Sequence, residues 1–111
     1  MIVGLFPDLL PAGGVQLAGR HTAAVLARLA AERGSEVRFL SLNDPEGEHE
    51  LNVAGVPVPF TGFGRSKRRF TSRALGLARG ARIVLAAHPH LAVPASAMQA
   101  QSKKLCLVVQ A

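Results

Sequence analysis

Residues 2–22 read "IVGLFPDLLPAGGVQLAGRHT", and the class of fold follows from how this stretch divides. Ile2–Phe6 is an unbroken apolar run closed by a proline, the pattern of a strand buried on both faces of a sheet. A turn-rich segment follows, and then apolar residues recur at helical spacing from Val15 onward. Between the two stand the adjacent glycines Gly13 and Gly14. Glycine at that place lets the chain turn sharply and brings backbone N–H groups close to a ligand. The helix N-terminus adds about half a positive charge, so phosphate is the natural guest. A plain turn is the competing reading.

Working outward, short β-like runs alternate with helical patterns: 2–6, a helix over 15–33, "EVRFLSL" (36–42), "VPVPFTGF" (56–63), a helix over 66–79, "RIVLAA" (82–87), a helix over roughly 94–102 and "LCLVV" (105–109). The order β-α-β-β-α-β-α-β with continuous apolar strands predicts an α/β fold, a Rossmann-like parallel sheet with helices on both faces. The polar stretch "NDPEGEHELN" (43–52) reads as a surface loop.

In the first helix Val15, Ala18, Thr22, Val25, Leu26 and Leu29 fall on one stripe, leaving Gln16 and Arg20 pointing away from the core, and Gly34 supplies the left-handed residue that ends it. The second helix begins with Ser66 as N-cap and buries Phe70, Ala74, Leu77 and Ala81. Arg65, Arg68, Arg69, Arg73 and Arg79 gather opposite, with no acid among them, while Lys67 lies nearer the buried side.

The chain has 111 residues, enough for one domain. Its net charge of +6 comes largely from the segment between Arg65 and Arg82 and points to an anionic partner. With no Trp or Tyr and only five Phe, the aromatic platform of single-strand binders is poorly supplied, and nucleic acid is not expected. The only cysteine, Cys106, sits in an apolar run and suits a buried structural residue in a reducing compartment. No apolar run approaches the ~20 residues of a membrane span, and no signal-like leader is seen. A cytoplasmic protein is expected.

Named phosphate loops fit poorly. Gly14 and Gly19 have P-loop spacing, but Arg20 and His21 follow where Lys and Ser/Thr are required. The dinucleotide fingerprint needs Gly-x-Gly-x-x-Gly, whereas these glycines are adjacent and the first strand-end acid, Asp44, comes late. His88 and His90 could suggest a metal, yet no third ligand stands at a useful spacing, so none is expected.

Taken in order, "GGVQLAGRHTAAVLARLA" (13–30), "EVRFLSLND" (36–44), "GFGRSKRRF" (62–70) and "VLAAHPHLA" (84–92) resemble the N-terminal domain of the GT-B glycosyltransferases of family 4, retaining enzymes that use nucleotide sugars. The resemblance covers nearly the whole chain. It implies a Rossmann-like acceptor-side domain whose glycine loop, here Gly13, Gly14 and Val15, approaches the donor diphosphate and the acceptor. It implies that His88 contacts the transferred sugar as the catalytic-site histidine. Arg20, Asp44, Lys67, Arg68, Arg69 and His90 are further candidates for contacts with the acceptor or with an anionic membrane surface.

The implied partners are a nucleotide-sugar donor and a glycan or lipid-linked acceptor; no cofactor is implied, since the nucleotide sugar is a substrate. The family's donor-binding domain, with its glutamates, has no counterpart in these residues, and no crossover helix follows the last strand. The chain is therefore expected to be a partial N-terminal domain over residues 1–111, inactive alone. Retention would follow from front-face attack by the acceptor hydroxyl, with no enzyme nucleophile. Two other classes stay open: a fragment of a Rossmann-type oxidoreductase with Asp44 on a ribose, and a non-enzymatic anion-binding α/β module.

Overall fold

A strand that is apolar without interruption must be covered on both sides, and Ile2–Phe6 (β1) is buried along its whole length. A computed structural model describes residues 1–10, 14–77, 83–86 and 106–109, with the backbone alone for 14–18, 83, 86 and 106–109. After β1 come α1 (Gly14–Glu32), β2 (Val37–Ser41), β3 (Gly47–Val53), β4 (Val56–Gly62), α2 (Lys67–Leu77), β5 (Ile83–Ala86) and β6 (Cys106–Val109). The expected helix over 94–102, the ends at Arg79 and Ala81, and the side chain of Cys106 lie outside the described residues.

The six strands form one sheet in the order β3-β4-β2-β1-β5-β6. The pairs β2·β1, β1·β5, β5·β6 and β2·β4 are parallel, and β3·β4 is antiparallel. The sheet is thus mostly parallel but mixed. Alternation along β1 divides the core. Val3 and Leu5 join Leu40, Leu42 and Val84 beneath Phe70 and Ala74 of α2, whereas Phe6 joins Phe39, Phe60 and Leu85 beneath Ala23 and Ala24 of α1. The two helices therefore cover opposite faces. Gly4 gives the rings their room: a Cβ there would lie 2.7 Å from Phe39 and 2.8 Å from Phe6, which meet edge to face at 5.9 Å.

The loop expected over 43–52 is half strand. Gly47–Val53 pairs along its full length with β4 through a two-residue turn in which Ala54 (φ 51°) and Gly55 (φ 83°) both have positive φ, the geometry that matches the twist of a hairpin. Leu51 and Val53 face inward while Glu48, Glu50 and Asn52 are exposed. That period of two was hidden by the high polarity of an edge strand. Pro57 and Pro59 of β4 lie opposite Asn52 and Glu50, in the part of β4 that β2 does not reach, so their missing N–H groups break no parallel ladder.

The core face of α1 also differs from the expected stripe. Ala23, Ala24 and Ala30 are buried, Thr22, Leu26 and Leu29 are half-buried, and Val25 is 64% exposed. The sheet supplies the bulk here through Phe6, Phe39 and Phe60, so the helix approaches with small residues. A Cβ on Gly19 would sit 3.5 Å from Phe6 and 3.6 Å from Leu9, ordinary contact distances. Choosing the stripe by the largest apolar residues selected the wrong edge of the helix.

Both helix ends follow the expected capping. Gly34, at φ 62°, closes α1 with Ser35 N–H donating to Ala30 O (2.8 Å) and Gly34 N–H to Ala31 O (3.2 Å), a Schellman pair. Ser66 Oγ accepts the Arg69 N–H at 3.4 Å and caps α2. Phe70 and Ala74 are buried and Leu77 packs against the same cluster.

The exposed position of Val25 makes Val25→Ser nearly neutral, within about 0.5 kcal/mol. Ala23→Leu, which drives a branched side chain into the layer over Phe6, should cost about 1–3 kcal/mol. Chemical denaturation of the two variants checks the order, and the reverse order would restore the original stripe.

Candidate functional site

The sheet order reverses direction at β1: the chain moves to β2 on one side and returns to β5 on the other. Ligands of open α/β sheets bind beyond the carboxyl ends of the strands at such a reversal. β1 and β5 run parallel with Leu5 opposite Ala86, so the segments leaving their carboxyl ends start side by side. One is 7–13, which leads to the glycine pair and α1; the other begins at Ala87 and carries His88 and His90. Gly13, His88 and His90 lie outside the described residues, and Gly14 and Val15 are the first two residues of α1.

What is described of the β1–α1 connection is tightly held. Leu42 N–H donates to Phe6 O (3.0 Å) and Asn43 N–H to Pro7 O (2.8 Å), so the β1·β2 ladder continues past the strand ends. Asp44 then turns its carboxylate under the next two peptides. Leu9 N–H donates to Oδ2 at 2.8 Å, Leu10 N–H to Oδ1 at 3.3 Å, and Ser41 Oγ–H to Oδ2 at 2.5 Å. From the other side Arg20 of α1 donates Nε–H to Leu9 O at 2.6 Å and a terminal N–H to Leu10 O. The Leu9–Leu10 peptide is therefore held at its N–H by Asp44 and at its carbonyl by Arg20, while the Leu9 N–H and the Leu10 carbonyl belong to the peptides on either side.

Two expectations change with this geometry. Asp44 is 2% exposed, and its oxygens are taken by the protein's own N–H and O–H groups rather than offered to a ligand. Arg20 does not project away from the core; it reaches back along the helix onto the strand-end loop. The spacing of the sequence brought neither feature into view, because the loop partners of Asp44 lie 34 and 35 residues away and, like the Leu9 and Leu10 carbonyls that Arg20 meets, are main-chain atoms.

The basic helix is a separate surface, on the opposite face of the sheet from α1. Lys67, Arg68, Arg69 and Arg73 are all exposed, so Lys67 is not turned inward as its spacing implied. Arg68, Arg69 and Arg73 line a shallow depression with Ser66, Ser72 and Gly76. Arg69 pairs with Glu46 of the β2–β3 loop, which supplies a neutralising acid that the helix itself lacks. Among the described residues Arg65, Lys67, Arg68 and Arg73 form no ion pair.

Asp8 is a residue the sequence reading passed over. It lies between Pro7 and Leu9, half-buried, with its Oδ1 shielded from solvent and without a hydrogen-bond partner. A buried acceptor left unpaired costs about 1–3 kcal/mol. The signal was its place two residues beyond a central strand, at the crevice end of the sheet. Among the described residues no cluster of His, Cys, Asp or Glu fits a metal ion, and no helix is long and apolar enough to cross a membrane.

No family model, no curated protein and no solved structure matches the chain.

The unpaired oxygen of Asp8 has a measurable consequence. Asp8→Ala removes it and should raise Tm by a few degrees, the scale set by about 1 kcal/mol in a domain of this size. Differential scanning calorimetry reads the sign, and a lower Tm would mean that the carboxylate has a stabilising partner.

Proposed function

We propose that this chain is the acceptor-side, Rossmann-like part of a retaining glycosyltransferase that moves a sugar from a nucleotide-sugar donor to a glycan or lipid-linked acceptor. The observation that carries the reading is the reversal of strand order at β1, with the loop to Gly13–Gly14 and the segment to His88 leaving adjacent parallel strands. Backbone N–H groups of Gly14 and Val15, at the start of a 19-residue helix, offer donors and a partial positive charge to a diphosphate. In this reading they offset the negative charge that develops on the leaving group. His88 orients the transferred sugar through its hydroxyls. Such positioning and charge stabilisation are the main contributions available where no enzyme nucleophile takes part.

The complete reaction calls for a second domain that grips the nucleotide. The exposed arginines of α2 serve a different purpose in this scheme. They hold the protein reversibly at an anionic membrane surface, on the cytoplasmic side, where a lipid-linked acceptor is presented. Roughly 1 kcal/mol per basic residue near such a surface makes three or four unpaired cations sufficient for reversible attachment.

The deciding experiment is a nucleotide-sugar turnover assay on the gene product that carries this chain, with release of nucleoside diphosphate as the readout. Gly14→Val should lower kcat/KM about a hundredfold, the scale of losing preorganised backbone donors, while Tm changes by only a few degrees. Wild-type turnover in this variant would return the glycine pair to a simple turn.

Membrane attachment is tested separately by sedimentation with phosphatidylglycerol vesicles. Arg68→Glu with Arg73→Glu should abolish co-sedimentation, and 0.5 M salt should do the same for the unmodified protein by screening. Binding that survives both would remove the electrostatic role of α2.

A further inference from the structure

We propose that the depression along α2 is a binding site for a phosphomonoester group, with Glu46 as the built-in competitor for its arginines. The proposal rests on the reading of α2 as the face that meets an anion, and narrows that reading from a diffuse charge to a defined site.

The shape follows from the order of residues along the helix. At about 3.6 residues per turn, Arg68, Ser72 and Gly76 fall in one row, with Arg69 and Arg73 in the row beside it. Together with Ser66 these residues line the depression. Its floor is the part of the helix that carries the smallest side chains. Glycine within a helix is less favourable than any residue but proline, so its presence at position 76 calls for a reason. Neither packing nor backbone supplies one: among the described residues a Cβ there meets nothing within 4 Å, and its φ is not positive. What glycine provides is an open floor beside the arginines.

The lining sets the chemistry of the guest. The guanidiniums of Arg68, Arg69 and Arg73 each present a planar fork of N–H donors that fits two phosphate oxygens. Ser66 and Ser72 add hydroxyls. No acid stands on α2 itself, and among the described residues Arg68 and Arg73 form no ion pair. A phosphomonoester carries about −1.5 to −2 charges near neutral pH and three free oxygens. It can therefore engage more of these forks at once than a diester, which has a smaller charge and fewer free oxygens.

One arginine of the set already holds an anion. Arg69 pairs with Glu46, which comes from the β2–β3 loop. That loop is anchored where it passes the helix: Asp44 O accepts the Gly64 N–H at 2.8 Å, and His49 Nε2 donates to Pro45 O at 2.6 Å. A Cβ on Gly64 would stand 3.7 Å from Glu46 Cβ, so the loop carrying the carboxylate lies against the entry to α2. Both partners of the pair are largely exposed, at 64% and 66%, and such a pair is weak. An incoming dianion takes the Arg69 fork and releases Glu46 to solvent.

Binding is measured on the isotope-labelled full chain at fixed ionic strength, with methyl phosphate as probe and dimethyl phosphate as control. The readout is the backbone amide shifts of residues 66–76 and the arginine Nε–H signals. Methyl phosphate should bind saturably and about tenfold more tightly than dimethyl phosphate, the scale of one charge-assisted hydrogen bond. Gly76→Leu leaves every charge in place and fills the floor. It should lower affinity about tenfold while Tm stays the same or rises, since leucine is the better helix former. Gly76→Gln repeats the measurement if the leucine variant self-associates. Unchanged affinity in these variants would overturn the site, because a diffuse field of charge does not sense a neutral side chain. Glu46→Gln should tighten binding about two- to fivefold, and the gain should vanish when Arg69→Gln is also present. A gain that persists there would overturn the competitor role.

The source of the phosphate is read with phosphatidic acid and phosphatidylglycerol vesicles matched in surface potential. Preference for phosphatidic acid, lost in Gly76→Leu, assigns the site to a lipid headgroup. Saturable methyl phosphate binding without attachment to either vesicle assigns it to a soluble phosphomonoester and overturns the membrane reading alone. Equal attachment to both vesicles, with no methyl phosphate binding, overturns this proposal and leaves the membrane reading standing. No binding in any arm overturns both.

Discussion

A buried carboxylate must be satisfied where it stands, and the satisfaction of Asp44 organises the carboxyl end of the sheet. A buried acceptor left unpaired typically costs about 1–3 kcal/mol, and more where it is charged, so its hydrogen bonds hold their donors in place. The side chain takes two main-chain N–H groups from the β1–α1 loop and the hydroxyl of Ser41. Its own carbonyl accepts the Gly64 N–H at 2.8 Å. One residue thus ties the exit of β1 to the turn between β4 and α2. The backbone closes in around it so tightly that a Cβ on Gly62 would lie 2.1 Å from Pro45 O and 2.9 Å from Asp44 O. Glycine at position 62 is required by contact, with no unusual φ involved.

The parts of this fold that were legible from sequence are those governed by local chemistry. β1 was readable because burial on both faces leaves no place for a polar residue between Ile2 and Phe6. The Gly34 stop and the Ser66 cap were readable because each satisfies main-chain groups within a few residues of itself. β3 was obscured because an edge strand presents charge outward, and the same Glu48 and Glu50 that mark the edge lower its apolar content. The face of α1 was misjudged because its size complement sits on the sheet: Ala23 and Ala24 are the α1 side chains buried in the cluster of Phe6, Phe39 and Phe60, and Leu26 packs against it only partly buried.

The candidate site was legible to a smaller extent, for the same physical reason. The glycine pair follows β1 and the histidines follow β5 in chain order, but Gly13, His88 and His90 lie outside the described residues. Arg20 and Asp44 were recognised as residues of interest, yet their targets are main-chain atoms of Leu9 and Leu10, which carry no sequence signature. Asp8 was hidden because an unpaired atom is a property of surroundings, which no single-residue pattern encodes.

The basic helix raises a balance of energies that its own packing does not close. Arg69 and Arg73 stand four residues apart in α2, and like charges at that spacing typically destabilise a helix by about 0.2–0.5 kcal/mol per pair. Basic residues in the first turn, at Lys67, Arg68 and Arg69, also oppose the helix dipole. The Glu46 contact relieves Arg69, but at an exposed position such a pair contributes about 0–1 kcal/mol. Burial of Phe70 and Ala74 suffices to hold α2 on the sheet despite this repulsion. Neutral residues on the exposed face would hold it better. The arginines are therefore a cost to α2 in the free chain, offset by the apolar contacts that Phe70 and Ala74 make with the sheet.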